Sequence, residues 1–328
     1  MARSFQPSRA AGALAASKRR AAKRVVSKRS LAAPNAAAQA GSNRESISDR
    51  VGSWALVRAA AEGAFSTVHQ ARAADAQDVL RTPYAVKLLK RQWHDEPQAI
   101  KLLRREARVG RAVSHPHLVP ILAAHVHEAP YYVVMPWIEG ATLAALGASD
   151  SRPELPLALW IVRQAAEALA ALDAAGWLHS DVKPANIMVS HDGHATLIDL
   201  GCARRAHEAG DSADAALSGT IAYMAPERLT SALRADIRGD IFSLGVTLFE
   251  LLTGELPFAA DDMAALAQAH RHDMPRDVRQ FAPHVPHTVA QLVQQMLAKE
   301  PLRRPQLPRE LVARLAALEI ETFAESWV

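Results

Sequence analysis

His179-Ser180-Asp181-Val182-Lys183-Pro184-Ala185-Asn186-Ile187, followed by Leu197-Ile198-Asp199-Leu200-Gly201, is the stretch on which the reading of this chain turns. Two carboxylates, a lysine and a carboxamide lie close together, spaced by apolar residues of strand character. Metal-assisted phosphoryl transfer needs such a set. One carboxylate orients an attacking hydroxyl, an amide and a second carboxylate hold a divalent cation, and a lysine offsets charge on the moving group.

Upstream, each signal has two readings when taken alone. Gly63, in Ala61-Glu62-Gly63-Ala64-Phe65-Ser66-Thr67-Val68, is either a plain turn between strands or a loop whose backbone approaches phosphate oxygens. Lys87, in the strand-like run Tyr84 to Leu89, is either a solvated lysine or a point charge for a phosphate. Glu106 lies in a helical pattern over 97–113 and is either solvated or the carboxylate that holds Lys87. Tyr131 to Met135 reads as a buried strand stopping at Pro136, and Ala195 to Asp199 as a short strand. Helical periodicity covers Leu157 to Ala175, then 240–253, 262–271, 289–298 and 308–319. Strands first and helices second predict two lobes with a cleft between them.

Together, in this order, these motifs make residues 50–317 resemble the eukaryotic-type serine/threonine protein kinase family, most of all its bacterial members. The resemblance implies an α+β, bilobal protein-kinase-like fold with a small β-rich N-lobe and a larger helical C-lobe. It divides the chain into a disordered basic tail over 1–47, a kinase domain over 48–320 and a short C-terminal tail over 321–328. The N-lobe covers about 48–138 and the C-lobe about 139–320. The implied cofactors are ATP and Mg²⁺ (or Mn²⁺). Ala61, Gly63, Ser66 and Val68 correspond to the loop and lid over the nucleotide, and Ala85 to the adenine pocket. Lys87 corresponds to the phosphate lysine paired with Glu106. Met135 guards the back of the pocket, and Pro136 and Ile138 belong to the hinge. Asp181 is the implied catalytic base, and Lys183 touches the transferred phosphate. Asn186 and Asp199 bind the metal, and Thr220 stands in the substrate-facing segment. Ala225-Pro226-Glu227 closes that segment, with Glu227 paired to Arg304, and Asp240 and Gly245 mark the helix that anchors the catalytic loop.

Four departures carry expectations. Ala61 and Ser66 replace loop glycines, which predicts weaker ATP binding. Ser180 replaces the arginine that in relatives meets a phosphorylated activation loop, so activity without that phosphorylation is expected unless Arg204 or Arg205 supplies the charge. Gly110 costs about 1 kcal/mol relative to alanine in mid-helix, either to let the helix swing or to make room for packing. Cys202 is either an oxidisable switch or an inert small residue. Ala185 lacks an acid that some basic-directed relatives carry, while Glu250 remains at another such position. His115/His117 and His125/His127 have no Cys or carboxylate cluster to complete a zinc set.

Composition frames the rest. At 328 residues and 49% hydrophobic, the chain can build a sizeable core, which excludes collagen-like, wholly disordered and disulfide-stapled classes. One cysteine forms no internal disulfide and points to a reducing compartment, here the cytoplasm. The longest apolar run noted, Tyr131 to Ile138, is too short for a membrane span, and 1–44 lacks a secretory-signal core. Those 44 residues hold ten basic groups and no acid, leaving 28 basic against 34 acidic groups elsewhere. The tail is therefore a solvated extension, an arm for nucleic acid or another polyanion, or a transit peptide. Three functions compete: a protein kinase acting on protein Ser/Thr, a non-catalytic kinase-fold binding module with weak ATP binding, and a small-molecule phosphotransferase.

Overall fold

A computed structural model describes residues 50–148, 152–206, 221–229 and 236–325. The basic tail and Thr220 lie outside the described residues. Six antiparallel strands form the first sheet: β1 (Arg50–Val51), β2 (Trp54–Glu62), β3 (Ser66–Ala73), β4 (Tyr84–Leu89), β5 (Ala123–His125) and β6 (Tyr132–Pro136), in the order β1-β2-β3-β4-β6-β5. Alternation along β4 decides what this sheet can do. Val86 packs into a small cluster with Val51, Ala71, Tyr132 and Val134 on one face. Ala85 and Leu89, two residues either side of Lys87, face the main core instead, so the period of two turns Lys87 inward.

Helix α1 (Pro97–Ala112) packs there. Pro97 fits its first turn, and the Glu96 side chain accepts a hydrogen bond from the Gln98 N–H. Its buried stripe runs through Ala99, Leu103, Glu106, Ala107, Val109 and Gly110. Gly110 settles one of the open readings. A Cβ there would sit 2.4 Å from Ile121 Cγ1, so the glycine makes room for packing.

Past β6 come β7 (Gly140–Thr142), α2 (Leu143–Gly147), α3 (Leu155–Ala174), β8 (Trp177–Leu178), β9 (Ile187–Ser190), β10 (Ala195–Leu197) and β11 (Arg204–Arg205). The short strands pair as β10-β9-β7 and as β11-β8, which brings both ends of the 179–186 loop beside Asp199. Helices α4 (Ile237–Thr253), α5 (Met263–His272), α6 (Val278–Phe281), α7 (His287–Met296) and α8 (Pro308–Glu325) complete the structure. α3 is long and apolar enough to cross a membrane by composition, yet ten of its residues are buried and it packs against α4 and α8 as a core helix. α4 is buried nearly all round, and Gly245 lets it approach α7, since a Cβ there would meet Met296 Cβ at 2.7 Å.

Most helix ends shift by one to three residues from the sequence expectation, and three boundaries have a clear physical reason. β10 stops at Leu197, because Asp199 has φ +64 and turns the chain into a short helical turn over Leu200–Cys202. Pro136 is the last residue of β6 rather than its stop, since a strand end needs no further N–H. α8 continues to Glu325, past the expected edge at 320, with Thr322 buried.

Candidate active site

Lys87 is the centre of one half of the site. Its Nζ lies 2.8 Å from Glu106 Oε2 and 2.8 Å from Asp199 Oδ1, joining β4, α1 and the turn after β10. Burial opposes the charge on Lys87, but the two carboxylates outweigh it and hold the ammonium above its ordinary pKa. Burial likewise pushes the Asp199 carboxyl up, yet Lys87 and the Gly201 N–H bring it down to about 2. Glu106 has the least solvent of the three, and its burial raises the carboxyl to about 7 despite Lys87.

The other half is the loop over 179–186. Asp240 at the start of α4 receives two consecutive backbone donors, His179 N–H at Oδ2 (2.7 Å) and Ser180 N–H at Oδ1 (2.9 Å). The Asp181 N–H donates to His179 Nδ1 at 3.3 Å, so the ring proton is on Nε2, which donates to the Ile198 carbonyl at 3.1 Å. Ser180 has φ +69, a conformation that costs a non-glycine residue roughly 1–2 kcal/mol. Asn186 Nδ2 donates to the Asp181 carbonyl at 2.8 Å and to Asp181 Oδ2 at 2.9 Å, and Lys183 Nζ lies 2.8 Å from the same oxygen. Asp181, Lys183 and Asn186 are thus one hydrogen-bonded unit.

Both halves open onto a cavity of about 250 Å³. Of the sequence-predicted residues, Gly63, Ser66, Lys87, Glu106, Asp181, Lys183 and Asp199 line it. Ala61, Val68, Ala85, Met135, Pro136, Ile138 and Asn186 do not. Strand register nonetheless places Val68 opposite Lys87, Ala61 opposite Val68 and Ala85 opposite Met135, and Val68, Ala85 and Met135 share the main hydrophobic cluster. Phe65, Leu102 and Cys202 are among the other wall residues and were not expected there; only their neighbourhood to the motifs could have signalled them. The turn over 62–66 is pinned from one side: the Phe65 carbonyl accepts from Lys90 N–H at 2.8 Å and the Phe65 ring packs edge-on against Trp93.

The donor set fits a hard divalent cation. Asp199 is anionic at neutral pH and Asn186 offers a carboxamide oxygen, both oxygen donors of the kind Mg²⁺ takes together with substrate phosphates. No cluster of three or more His, Cys, Asp or Glu is placed to hold a metal by itself among the described residues. The histidine pairs are committed elsewhere: His117 bonds the Ala195 carbonyl at 2.8 Å and faces Glu167 at 3.3 Å, and His125 bonds the Pro130 carbonyl. Burial, with Asp181 and Asp199 nearby, pushes the Cys202 thiol up to about 12, which disfavours the thiolate that an oxidisable switch needs.

Below the site, Arg304 is fully buried and grips Glu227 with two nitrogens at 2.6 and 2.8 Å, the pair expected from the sequence. Arg304 also donates to the Arg238 carbonyl at 2.9 Å, tying the 226–229 turn to α4. Glu250 Oε2 accepts from Tyr223 Oη at 2.6 Å, so its carboxylate is turned toward the separate short turn over Ile221–Tyr223. Ser180 is engaged by arginine after all: Arg204 Nε lies 3.1 Å from its Oγ, while Arg205 lies over Trp177 instead.

Comparison with known proteins agrees with this geometry. Residues 55–314 match the family described as Protein kinase domain. The serine/threonine-protein kinase PknB of Mycolicibacterium smegmatis is 36% identical over 260 residues, covering 77% of this chain and 41% of that protein. PknD of Mycobacterium tuberculosis H37Rv is 35% identical over 260 residues (79% and 38%), and PrkC of Bacillus subtilis 28% identical over 262 residues (80% and 40%). The chain thus spans about two-fifths of the length of these relatives. With a match across most of its length and the family's ion pairs in place, this chain belongs to the protein kinase family.

Proposed function

We propose that the chain is a serine/threonine protein kinase that moves the γ-phosphate of ATP to Ser or Thr hydroxyls of protein substrates. The observation that carries this is the convergence of two separate ion-paired groups, Lys87 with Glu106 and Asp199, and Asp181 with Lys183, on one cavity. Lys87, fixed by two carboxylates, offers its charge to the ATP phosphates. Asp181 accepts the proton of the attacking hydroxyl as the new O–P bond forms and the bond to the ADP oxygen breaks. Lys183, beside Asp181, offsets the charge on the transferred group. Asn186 and Asp199 would hold Mg²⁺ or Mn²⁺, which when bound neutralises phosphate charge. Glu227 and Arg304 support the platform for a protein substrate, which favours this reading over a small-molecule phosphotransferase.

The intact Lys87, Asp181, Asn186 and Asp199 set favours catalysis over a binding module. Activity without activation-loop phosphorylation is part of the proposal and rests on Ser180 standing where relatives carry the phosphate-binding arginine; a Ser212→Ala/Ser218→Ala variant then keeps most of its activity. Cytoplasmic location fits the lone cysteine. The basic tail is read as an arm for a polyanion, and binding of the full chain to DNA that weakens steeply with salt checks it. The main test is phosphoamino-acid analysis after incubation with Mg-ATP and a generic protein substrate. Phosphoserine and phosphothreonine are expected; binding of Mg-ATP with no phosphoprotein formed would instead favour the binding module.

A further inference from the structure

Ser180 is held at every polar atom it owns. Its N–H goes to Asp240 on α4, its Oγ receives Arg204 Nε from β11, and its carbonyl receives Arg228 Nη1 from the turn over Pro226–Leu229. Three elements that are distant in sequence therefore meet on one residue, and that residue is 7% exposed and in a left-handed conformation. A side chain in this backbone region persists only where its surroundings over-determine it. The carbonyl held by Arg228 belongs to the peptide whose N–H is that of Asp181, which itself donates to His179. Fixing that peptide plane fixes the direction in which the Asp181 carboxylate leaves the loop.

The route of Arg228 is also built in. Arg228 Cδ runs 3.9 Å from where a Cβ on Gly239 would stand, an ordinary contact distance, so the arginine stem packs along the first turn of α4 on its way to Ser180. Glu227, the neighbouring residue, is fixed by Arg304, so the arginine leaves from an anchored turn.

We propose that Arg228, with Arg204 as the lesser arm, is a positioning residue for the proposed phosphotransfer: it clamps the Ser180–Asp181 peptide and so sets the catalytic loop from within the chain. This rests on the kinase reading above but makes a structural claim that can be tested apart from it. The substrate platform and the catalytic carboxylate become mechanically joined through Ser180, with no phosphate in the linkage.

The test compares Arg228→Met, which keeps the aliphatic stem and removes the guanidinium, with Arg228→Lys and Ser180→Ala in the full chain. Two readouts are used: hydrogen exchange of the amides over 179–181, and steady-state kinetics with Mg-ATP. In Arg228→Met the loop amides should exchange roughly tenfold faster while those of α4 keep their rates. kcat should fall on the order of tenfold to a hundredfold with KM for ATP within about twofold. Arg228→Lys should recover most of both, and Ser180→Ala, which removes only the Arg204 contact, should show a smaller change in the same direction. Unchanged loop exchange in Arg228→Met overturns the clamp, as does a rise in KM with kcat intact. Should the wild type transfer no phosphate, the function proposal fails, and the exchange data still decide the clamp.

Discussion

The two sides of the cavity are held to different standards. On the catalytic side, His179, Ser180, Asp181 and Asn186 all have protein hydrogen-bond partners, and Asp240, Arg204 and Arg228 arrive from three separate elements. On the nucleotide-covering side, the turn over 62–66 has a Gly63–Ser66 backbone bond, the Phe65–Lys90 backbone bond, the Ala64 carbonyl taken by Trp93 and an ion pair from Lys90 to exposed Glu62. The lesson is physical. Groups proposed to aim at a reacting atom are held from several elements distant in sequence, while the proposed nucleotide cover is more exposed and is tied only within itself and to the turn after β4.

The comparison breaks most visibly if the frame under the catalytic side is removed. Arg304→Ala removes the buried guanidinium that grips Glu227, and the expected loss is about 3–5 kcal/mol in a urea denaturation measurement. A loss below about 1 kcal/mol would place that pair with ordinary surface ion pairs.

Next comes the packing that positions Glu106. Gly110→Ala drives a Cβ into Ile121 at 2.4 Å, and overpacking of that kind costs about 1–3 kcal/mol, set against the roughly 1 kcal/mol that alanine gains in a helix. Trimming the neighbour in a Gly110→Ala/Ile121→Val variant should recover most of the loss; no recovery would return the glycine to a hinge role.

A smaller effect is expected from pH. Burial pushes His270 down to about 4 from 6.5, with its Nδ1 bonded to the Met224 carbonyl at 2.9 Å and cationic Lys299 beside it. The folded chain keeps this imidazole neutral and the unfolded chain protonates it. Its contribution is therefore complete above pH 6.5 and is lost as pH falls toward 4. A His270→Gln variant should lose less stability than wild type between those values, read from melting temperatures across the range. Parallel curves would contradict this.

The smallest effect belongs to the cover. Ala61→Gly and Ser66→Gly restore conformational freedom on the side that is already loose, so ATP affinity should tighten by less than about tenfold with kcat unchanged. Calorimetric titration with a non-hydrolysable ATP analogue reads this, and no tightening in either variant would show that the two Cβ atoms do not hinder the phosphates.

The same contrast explains what was legible in the sequence. Asp181, Lys183 and Asn186 lie within six residues, and local chain geometry brings them together, so their chemistry could be read directly. Lys87, Glu106 and Asp199 are far apart along the chain, and alone each had an ordinary reading; only the family pattern joined them. The clamp on Ser180 was half visible. The loss of an arginine there was plain, and Arg204 or Arg205 had been weighed as a substitute charge, but Arg228 lies 48 residues further along the chain and no local pattern pairs it with Ser180. Gly110 was ambiguous for the same reason: its partner Ile121 lies on another segment. β10 ended early because Asp199 adopts a left-handed conformation, held by a local bond from the Gly201 N–H and a tertiary one from Lys87, and the second could not be read from the strand pattern.

The most direct test of the account is transfer of labelled γ-phosphate by the full chain and by its Asp181→Asn variant, with Mg-ATP binding measured on both. Removing a positioned general base costs about 10²–10⁴-fold. The account predicts that loss in transfer to Ser and Thr with nucleotide binding retained. Equal transfer by the two proteins would contradict it.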